Sequence, residues 1–250
     1  MGRYPGERSS NFSDEDPQHL VTIAYDFYLG QTEVTQRQWL ALMGSWPGSA
    51  PNSDFGVGDD YPAYHVSWND CQNFIAALNA HIDGGDQGPA TFRLPRESEW
   101  EYACRAGTQT RFSFGDSDCS STECSSCELD DYGWWCGNAH RQTHQVRQKL
   151  PNAWGLYDMH GNVFEWCEDN WHNSYDYASR PDDGSPWLDP TKSERVFRGG
   201  FWEISANTCH SAFRGGTHPG SRFGPWGLRL IRTQAPPNDN RTKRSWRMYE

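Results

Sequence analysis

Four cysteines crowd into DCSSTECSSCELDDYGWWC, at Cys119, Cys124, Cys127 and Cys136. Their spacing suits two chemistries: four thiolates around a tetrahedral zinc, or one or two disulfides closing a surface loop. The CxxC is one half of a zinc-ribbon pattern, so both readings stay open. A second constellation lies in LYDMHGNVFEW, where Asp158 and Glu165 offer hard carboxylate oxygens. Gly161 between them permits a sharp turn that aims main-chain carbonyls at the same point, a cluster suited to Ca2+. The third is RVFRGGFWEISANTCHSAFRGGTHPGSRFGPWGLRL, residues 195–230. Arg, Gly, Trp, Cys, Ala and Pro recur there like a frame, and Phe, Ile, Ser, Thr and His fill the gaps without period. A lone thiol such as Cys209 in this setting reads as a small buried residue or half a disulfide rather than a nucleophile. His140, His144, His160, His210 and His218 show no HxxxH or HExxH spacing, and no GxSxG, P-loop or dinucleotide fingerprint appears.

These residues need elements to hold them. HLVTIAYDFYLG, His19 to Gly30, has the β-branched and aromatic content of a strand entering a turn. In TEVTQRQWLALMG, Thr35 and Gln38 form a capping box, Trp39, Leu40 and Met43 give an apolar face, and Gly44 closes a short helix. Ser67 and Asp70 repeat the device before Cys71, Phe74, Ile75 and Leu78. The WND triplet there resembles a calcium-dependent sugar site but is better explained as helix capping. A third helix is expected from Pro95 or Arg96 to Cys104, with Gly107 beyond its end. Three short helices followed by irregular chain predict an α+β fold of low regular content, in one domain over residues 1–232. Residues 233–250 read as a polar tail, whose RTKRSWR is a solvated terminus. The 13 Trp and 24 Gly, with a mean hydropathy of −0.90, suit large rings pinning irregular backbone to a small core.

The net charge of −11 and the scattered Lys and Arg argue against nucleic acid as a partner, since phosphate binding needs a basic stripe. No run of about 18 apolar residues exists to span a membrane. No signal peptide opens the chain.

Several phrases together, TEVTQRQWLALMG, YPAYHVSWNDC, FRLPRESEWEYACRAGT, FSFGD, PNAWGLYDMHGNVFEWCEDNW and RVFRGGFW with GLRL, resemble the formylglycine-generating-enzyme (sulfatase-modifying factor) family. The likeness runs in order from about residue 15 to residue 232. It implies a variant of the C-type lectin fold, with short helices and twisted antiparallel strands. It also implies calcium at Asp158 and Glu165 with the carbonyls of Gly161 and Val163, and a second calcium at Asn138 and the Ala139 carbonyl, which lacks an acidic partner here. Oxidising members resemble one another in RGGSYxCxxxYC, whose two thiolates hold copper. Laid on this chain, the second thiolate is Cys209 and the first position is Ile204. One soft thiolate does not reproduce a two-thiolate Cu(I) site, so no copper is expected.

The 198–230 segment resembles more closely a non-catalytic branch, the variable proteins of diversity-generating retroelements, in which rewritten adenines turn codons into NNC. Such codons cannot encode Glu, Lys, Gln, Met or Trp. With Arg198, Gly199, Gly200, Trp202, Ala206, Cys209, Ser211, Ala212, Arg214, Pro219, Arg222, Gly227 and Arg229 as frame, the gaps hold mostly NNC-accessible residues, Glu203 and Trp226 excepted. The expected binding face is Phe201, Glu203, Ile204, Ser205, Asn207, Thr208, His210, Phe213, Gly215, Gly216, Thr217, His218, Gly220, Ser221, Phe223, Gly224, Pro225 and Trp226. Aromatic contact area mixed with adaptable hydrogen-bonding groups resembles a paratope. The resemblance implies a non-enzymatic protein taking an unidentified protein or cell-surface ligand, displayed on a surface, extracellular or phage-associated. The alternatives are a formylglycine-generating oxidase or another accessory module of the family.

Overall fold

The computed structural model describes residues 1–5, 7, 13–82, 90–117, 119, 123–222 and 224–234. The three helices form where their caps predict. α1 spans Gln36–Met43: Thr35 Oγ1 accepts from the Gln38 amide at 3.3 Å, Gln38 Oε1 accepts from the Thr35 amide at 2.9 Å, and Gly44 turns left-handed to end it. α2 spans Trp68–Ile82, with reciprocal bonds between Ser67 and Asp70 of 3.1 and 2.9 Å. α3 spans Glu97–Arg105. Its first turn is closed by Glu99 Oε2, which accepts from the Arg96 amide at 2.8 Å.

Among the described residues there are seven short strands in chain order: β1 (Tyr28–Leu29), β2 (Ala90–Arg93), β3 (Phe164–Asn170), β4 (Arg195–Arg198), β5 (Gly215–Thr217), β6 (Trp226–Gly227) and β7 (Ile231–Gln234). They make two sheets, β1-β7-β2 and β5-β4-β3-β6, in which every neighbouring pair is antiparallel except β3 with β6. This is an α+β fold with few helices and a mixed sheet. The strand expected over His19–Gly30 is laddered only at Tyr28–Leu29. Residues 20–26 alternate in exposure as a strand would, but the Thr22 amide bonding the Asp182 carbonyl at 2.7 Å is one link, not a ladder. At the other end β7 runs through Gln234, pairing with Ala90, so residues 233 and 234 belong to the sheet. The remainder of the expected tail, 235–250, lies outside the described residues.

Aromatic rings fill the space between these layers. Trp39 stacks on Phe74 at 5.0 Å between α1 and α2, and the Trp166 indole nitrogen donates to the Val66 carbonyl at 3.0 Å. Both tryptophans are fully buried, and each ring removes on the order of 150–250 Å2 from water. More unusual are three fully buried arginines, all from the C-terminal segment. Arg214 places Nε and Nη2 on the two oxygens of Glu97, each at 2.7 Å. Arg198 binds Glu101 and donates to the Ala212 and Phe213 carbonyls. Arg229 grips Glu165 through contacts of 2.8 to 3.0 Å and reaches the Gly30 and Tyr157 carbonyls. Burial alone would raise the Glu101 carboxyl, yet Arg105 and Arg198 outweigh it and hold it down to about 2.

Removing one member of such a pair strands the other charge in a dry site. Glu97→Gln is therefore expected to cost about 3–5 kcal/mol, read as a lower urea midpoint at unchanged slope. A loss below about 1 kcal/mol would mean that the pair carries no structural weight.

Candidate functional site

The end of β4 begins the site. Past Arg198 the chain turns through Gly199 at φ +97° and Gly200 at φ +81°. A Cβ on Gly200 would lie 2.4 Å from the Cys209 sulfur, so the glycine lets the chain close over that thiol. Cys209 is fully buried, and burial pushes its thiol up to about 12. Ile204, at the position of the first family thiolate, packs with Phe112, Leu129, Trp135 and Cys209. A thiol held protonated beside a hydrocarbon neighbour offers a soft metal no second thiolate.

Packed against the same cluster as Ile204 is the cysteine-rich loop. Its four cysteines form two disulfides, Cys119–Cys127 and Cys124–Cys136, which removes the zinc alternative. The two closures interleave and fix the loop against the site, where the Cys136 amide donates to the Ile204 carbonyl at 3.1 Å. Cys71, Cys104, Cys167 and Cys209 are free and buried.

The residues expected to form the face fall into four groups. Glu203, His218 and Gly220 are exposed, whereas Phe201, Ile204, Ser205, Asn207, Thr217, Ser221 and Trp226 are half-buried. Thr208, His210, Phe213 and Pro225 are buried. His210 is held between Glu15, at 2.9 Å, and the Asn207 carbonyl, at 2.8 Å. Phe213 stacks on Phe164 at 6.0 Å, Thr208 caps onto the Ser205 carbonyl at 2.8 Å, and the Pro225 carbonyl accepts from the Phe164 amide. These four therefore face the core and not a ligand. Gly215, Gly216 and Gly224 are half-buried but are set by packing. A Cβ would meet the Phe197 ring at 2.4 Å, the Trp171 ring at 2.1 Å and the Trp226 ring at 2.5 Å respectively. Phe223 lies outside the described residues.

What remains is brought together. The rings of Phe201, Phe164, Phe197 and Trp226 form one band, with successive centroids 5.0, 4.5 and 6.1 Å apart. At one end Glu203 pairs with Arg141 at 2.6 Å. At the other, the 217–221 turn is pinned to α2 by the Asn69 amide on the Pro219 carbonyl and by Arg222, which places two nitrogens on Asp70 at 2.6 and 2.8 Å. Sequence reasoning missed Phe55, half-exposed and 6.1 Å from Trp202, because a ring inside NSDFGVGDD carries no periodic signal.

The expected calcium ligands are not gathered as a free set. Both Glu165 oxygens are engaged by Arg229, and one also by the Trp100 indole at 2.7 Å. Asp158 Oδ2 accepts from the Arg147 amide at 2.8 Å, while Oδ1 is buried without a hydrogen-bond partner. Gly161, at φ +128°, packs so tightly that a Cβ would reach the Trp134 carbonyl at 2.2 Å, and Val163 is buried. At the second expected position, Asn138 bonds the Trp135 amide and the Gly133 carbonyl, and the Ala139 carbonyl accepts from Gln142 and His144. Among the described residues no group of three or more His, Cys, Asp or Glu is placed to hold a metal.

Residues 3–234 match the family described as the sulfatase-modifying factor enzyme 1-like domain. The chain belongs to that family. Its sequence is 32% identical over 236 residues to the formylglycine-generating enzyme of Streptomyces coelicolor, covering 84% of this chain and 66% of that enzyme. Among solved structures it resembles PvdO from Pseudomonas aeruginosa, with a TM-score of 0.78 at 28% identity, over 94% of this chain and 90% of that one. It also resembles Treponema denticola variable protein 1, with a TM-score of 0.68 at 28% identity, over 92% of each chain. Within the sulfatase-modifying factor enzyme 1-like family, the chain thus keeps the scaffold but carries Ile204 where the oxidising pattern has its first thiolate.

The cysteine assignment has a direct check. Denatured without reductant, the chain should take up four equivalents of iodoacetamide, at Cys71, Cys104, Cys167 and Cys209. Peptide mass spectrometry locates them; alkylation at Cys124 or Cys136 would contradict the pairing.

Proposed function

We propose that the chain is a non-enzymatic ligand-binding protein whose face is built on the aromatic band of Phe201 and Trp226, with Glu203, Ser205, Asn207, Thr217, His218 and Ser221 around it. The observation that carries this is one deeply buried thiol at Cys209 with the hydrocarbon of Ile204 packed against its cluster, in a segment whose Phe201 and Trp226 rings stand half-exposed. The likeness to a variable protein supports it. So does the division of the segment into tightly held frame residues and side chains free to differ, the arrangement a diversified binding surface needs. We read the scaffold as a variant of the C-type lectin fold, and the variable residues as the product of adenine-directed rewriting. The two disulfides support an oxidising address, outside the cell or on a surface. The partner is a protein or a cell-surface ligand.

Two measurements test this. Incubated with Cu(I), oxygen and a sulfatase-type cysteine peptide, the chain should leave the peptide unchanged by mass; formylglycine would overturn the reading. The DNA around the coding region should hold a reverse transcriptase and a near-copy of the 198–230 segment differing mainly at adenines. Without both, rewriting is refuted and a family binding module of fixed sequence remains.

Calcium enters this reading only through the family resemblance, at Asp158, whose buried Oδ1 accepts no hydrogen bond. Burial raises the Asp158 carboxyl to about 6, so an ion there would relieve a costly charge. Added CaCl2 is expected to raise Tm above its value in chelator, and Asp158→Asn to abolish the rise. An unchanged Tm in the wild-type chain would remove calcium from the account.

A further inference from the structure

The loop at residues 52–60, NSDFGVGDD, lies far from the 201–226 segment in sequence yet touches it. The Phe55 ring sits 6.1 Å from Trp202 and 6.1 Å from His65. Phe55 is 37% and Val57 51% exposed, an uncommon display of apolar side chains on a short loop of Gly, Ser and Asp. Single exposed apolar residues need no explanation by themselves. What distinguishes these is how rigidly their backbone is held.

Asn52 Oδ1 accepts from the Asp54 amide at 2.9 Å, closing the turn. The Phe55 carbonyl takes both the amide and the hydroxyl of Thr143, at 2.9 and 2.8 Å. The Gly56 carbonyl takes the Tyr64 hydroxyl at 3.0 Å and the Gln36 amide group at 3.2 Å. Gly56 itself stands at φ +99°, and a Cβ there would lie 2.4 Å from Thr143 Oγ1. A loop fixed this firmly, with its apolar side chains still half in water, has little ordering entropy left to lose when a partner covers it. Its charge is one-sided. Asp54, Asp59 and Asp60 are exposed, and the loop contains no Lys or Arg. The Arg37 guanidinium pairs with Asp60 at 3.3 Å, and the Arg37 amide donates to the Asp59 carbonyl, also at 3.3 Å.

We propose that loop 52–60 is a second part of the binding face, and that its occupant is a basic polypeptide segment carrying a large apolar side chain between Lys or Arg residues. The inference rests on the reading of 201–226 as a binding face. Phe55 and Val57 cover the apolar side chain of the partner, and Asp54 and Asp59 meet the flanking cations. The chain's net charge of −11 draws such a segment in from solution, so association is fastest at low salt.

The test uses the full chain, immobilised, and a phage-displayed random peptide library as probe, selected at low salt. Recovered peptides are measured by biolayer interferometry against the wild type, F55S/V57S, D54N/D59N and Trp226→Ala, each first shown to melt as the wild type does. The expected peptides place Lys or Arg beside an aromatic or aliphatic residue. F55S/V57S weakens them by about tenfold or more, and D54N/D59N by severalfold with a flatter dependence on salt. Peptides lost in Trp226→Ala but indifferent to the loop variants and to salt would overturn this inference and leave the face at 201–226 standing. Peptides indifferent to all three variants, or no enrichment at all, would overturn both.

Discussion

Three buried guanidinium groups set the terms for the rest of the molecule. Arg198, Arg214 and Arg229 are each wholly inside the protein, and each meets a glutamate: Glu101 and Glu97 from one helix, Glu165 from the central strand. Aromatic faces complete two of the sites. Arg214 lies 4.1 Å from the Tyr175 ring centroid and 4.6 Å from that of Trp171, and Arg198 lies 5.4 Å from that of Trp100. A buried charge is tolerated only where its partners are exactly placed in direction and distance, so these pairs leave the C-terminal chain little choice of path. Almost every other feature of the segment follows. The strand that ends at Arg198, the strands that flank Arg214 and Arg229, the glycines beside them and the turn over Cys209 are consequences of holding three arginines against one helix and one strand.

Such a frame would let the surface between its fixed points differ without loss of fold, as the proposed function requires. Phe201, Glu203, Thr217 and His218 stand half-buried or exposed on it, outside the buried core. The disulfide-closed loop is joined to this segment through the Cys136 amide on the Ile204 carbonyl, and the Phe55 ring of the 52–60 loop meets Trp202. Where the oxidising pattern has its first thiolate, Ile204 packs against the cluster that buries Cys209.

How much of this was legible in the sequence varied with the range of the interaction concerned. Helix caps are local, so Thr35 with Gln38 and Ser67 with Asp70 located α1 and α2 at once. The strand over His19–Gly30 shrank to two residues because a ladder needs a neighbour, and β7 pairs only at Tyr28 and Leu29. The face was drawn too wide for a similar reason. His210 is buried by Glu15, and Phe213 by Phe164, partners that no spacing within the segment reveals. Gly215 and Gly216 passed for variable positions because the rings that crowd them, Phe197 and Trp171, come from other parts of the chain. Among the cysteines the spacing allowed disulfides but could not choose their partners, since connectivity is set by the fold.

The central claim is that a rigid frame carries a replaceable surface, and saturation mutagenesis of residues 198–230 with a display readout of folded protein tests it most directly. The account predicts wide tolerance at Phe201, Glu203, Ser205, Thr217, His218 and Ser221, and sharp intolerance at Arg198, Gly200, Arg214, Gly216 and Arg229. Equal tolerance in the two groups, or intolerance concentrated at the outward side chains, would contradict it.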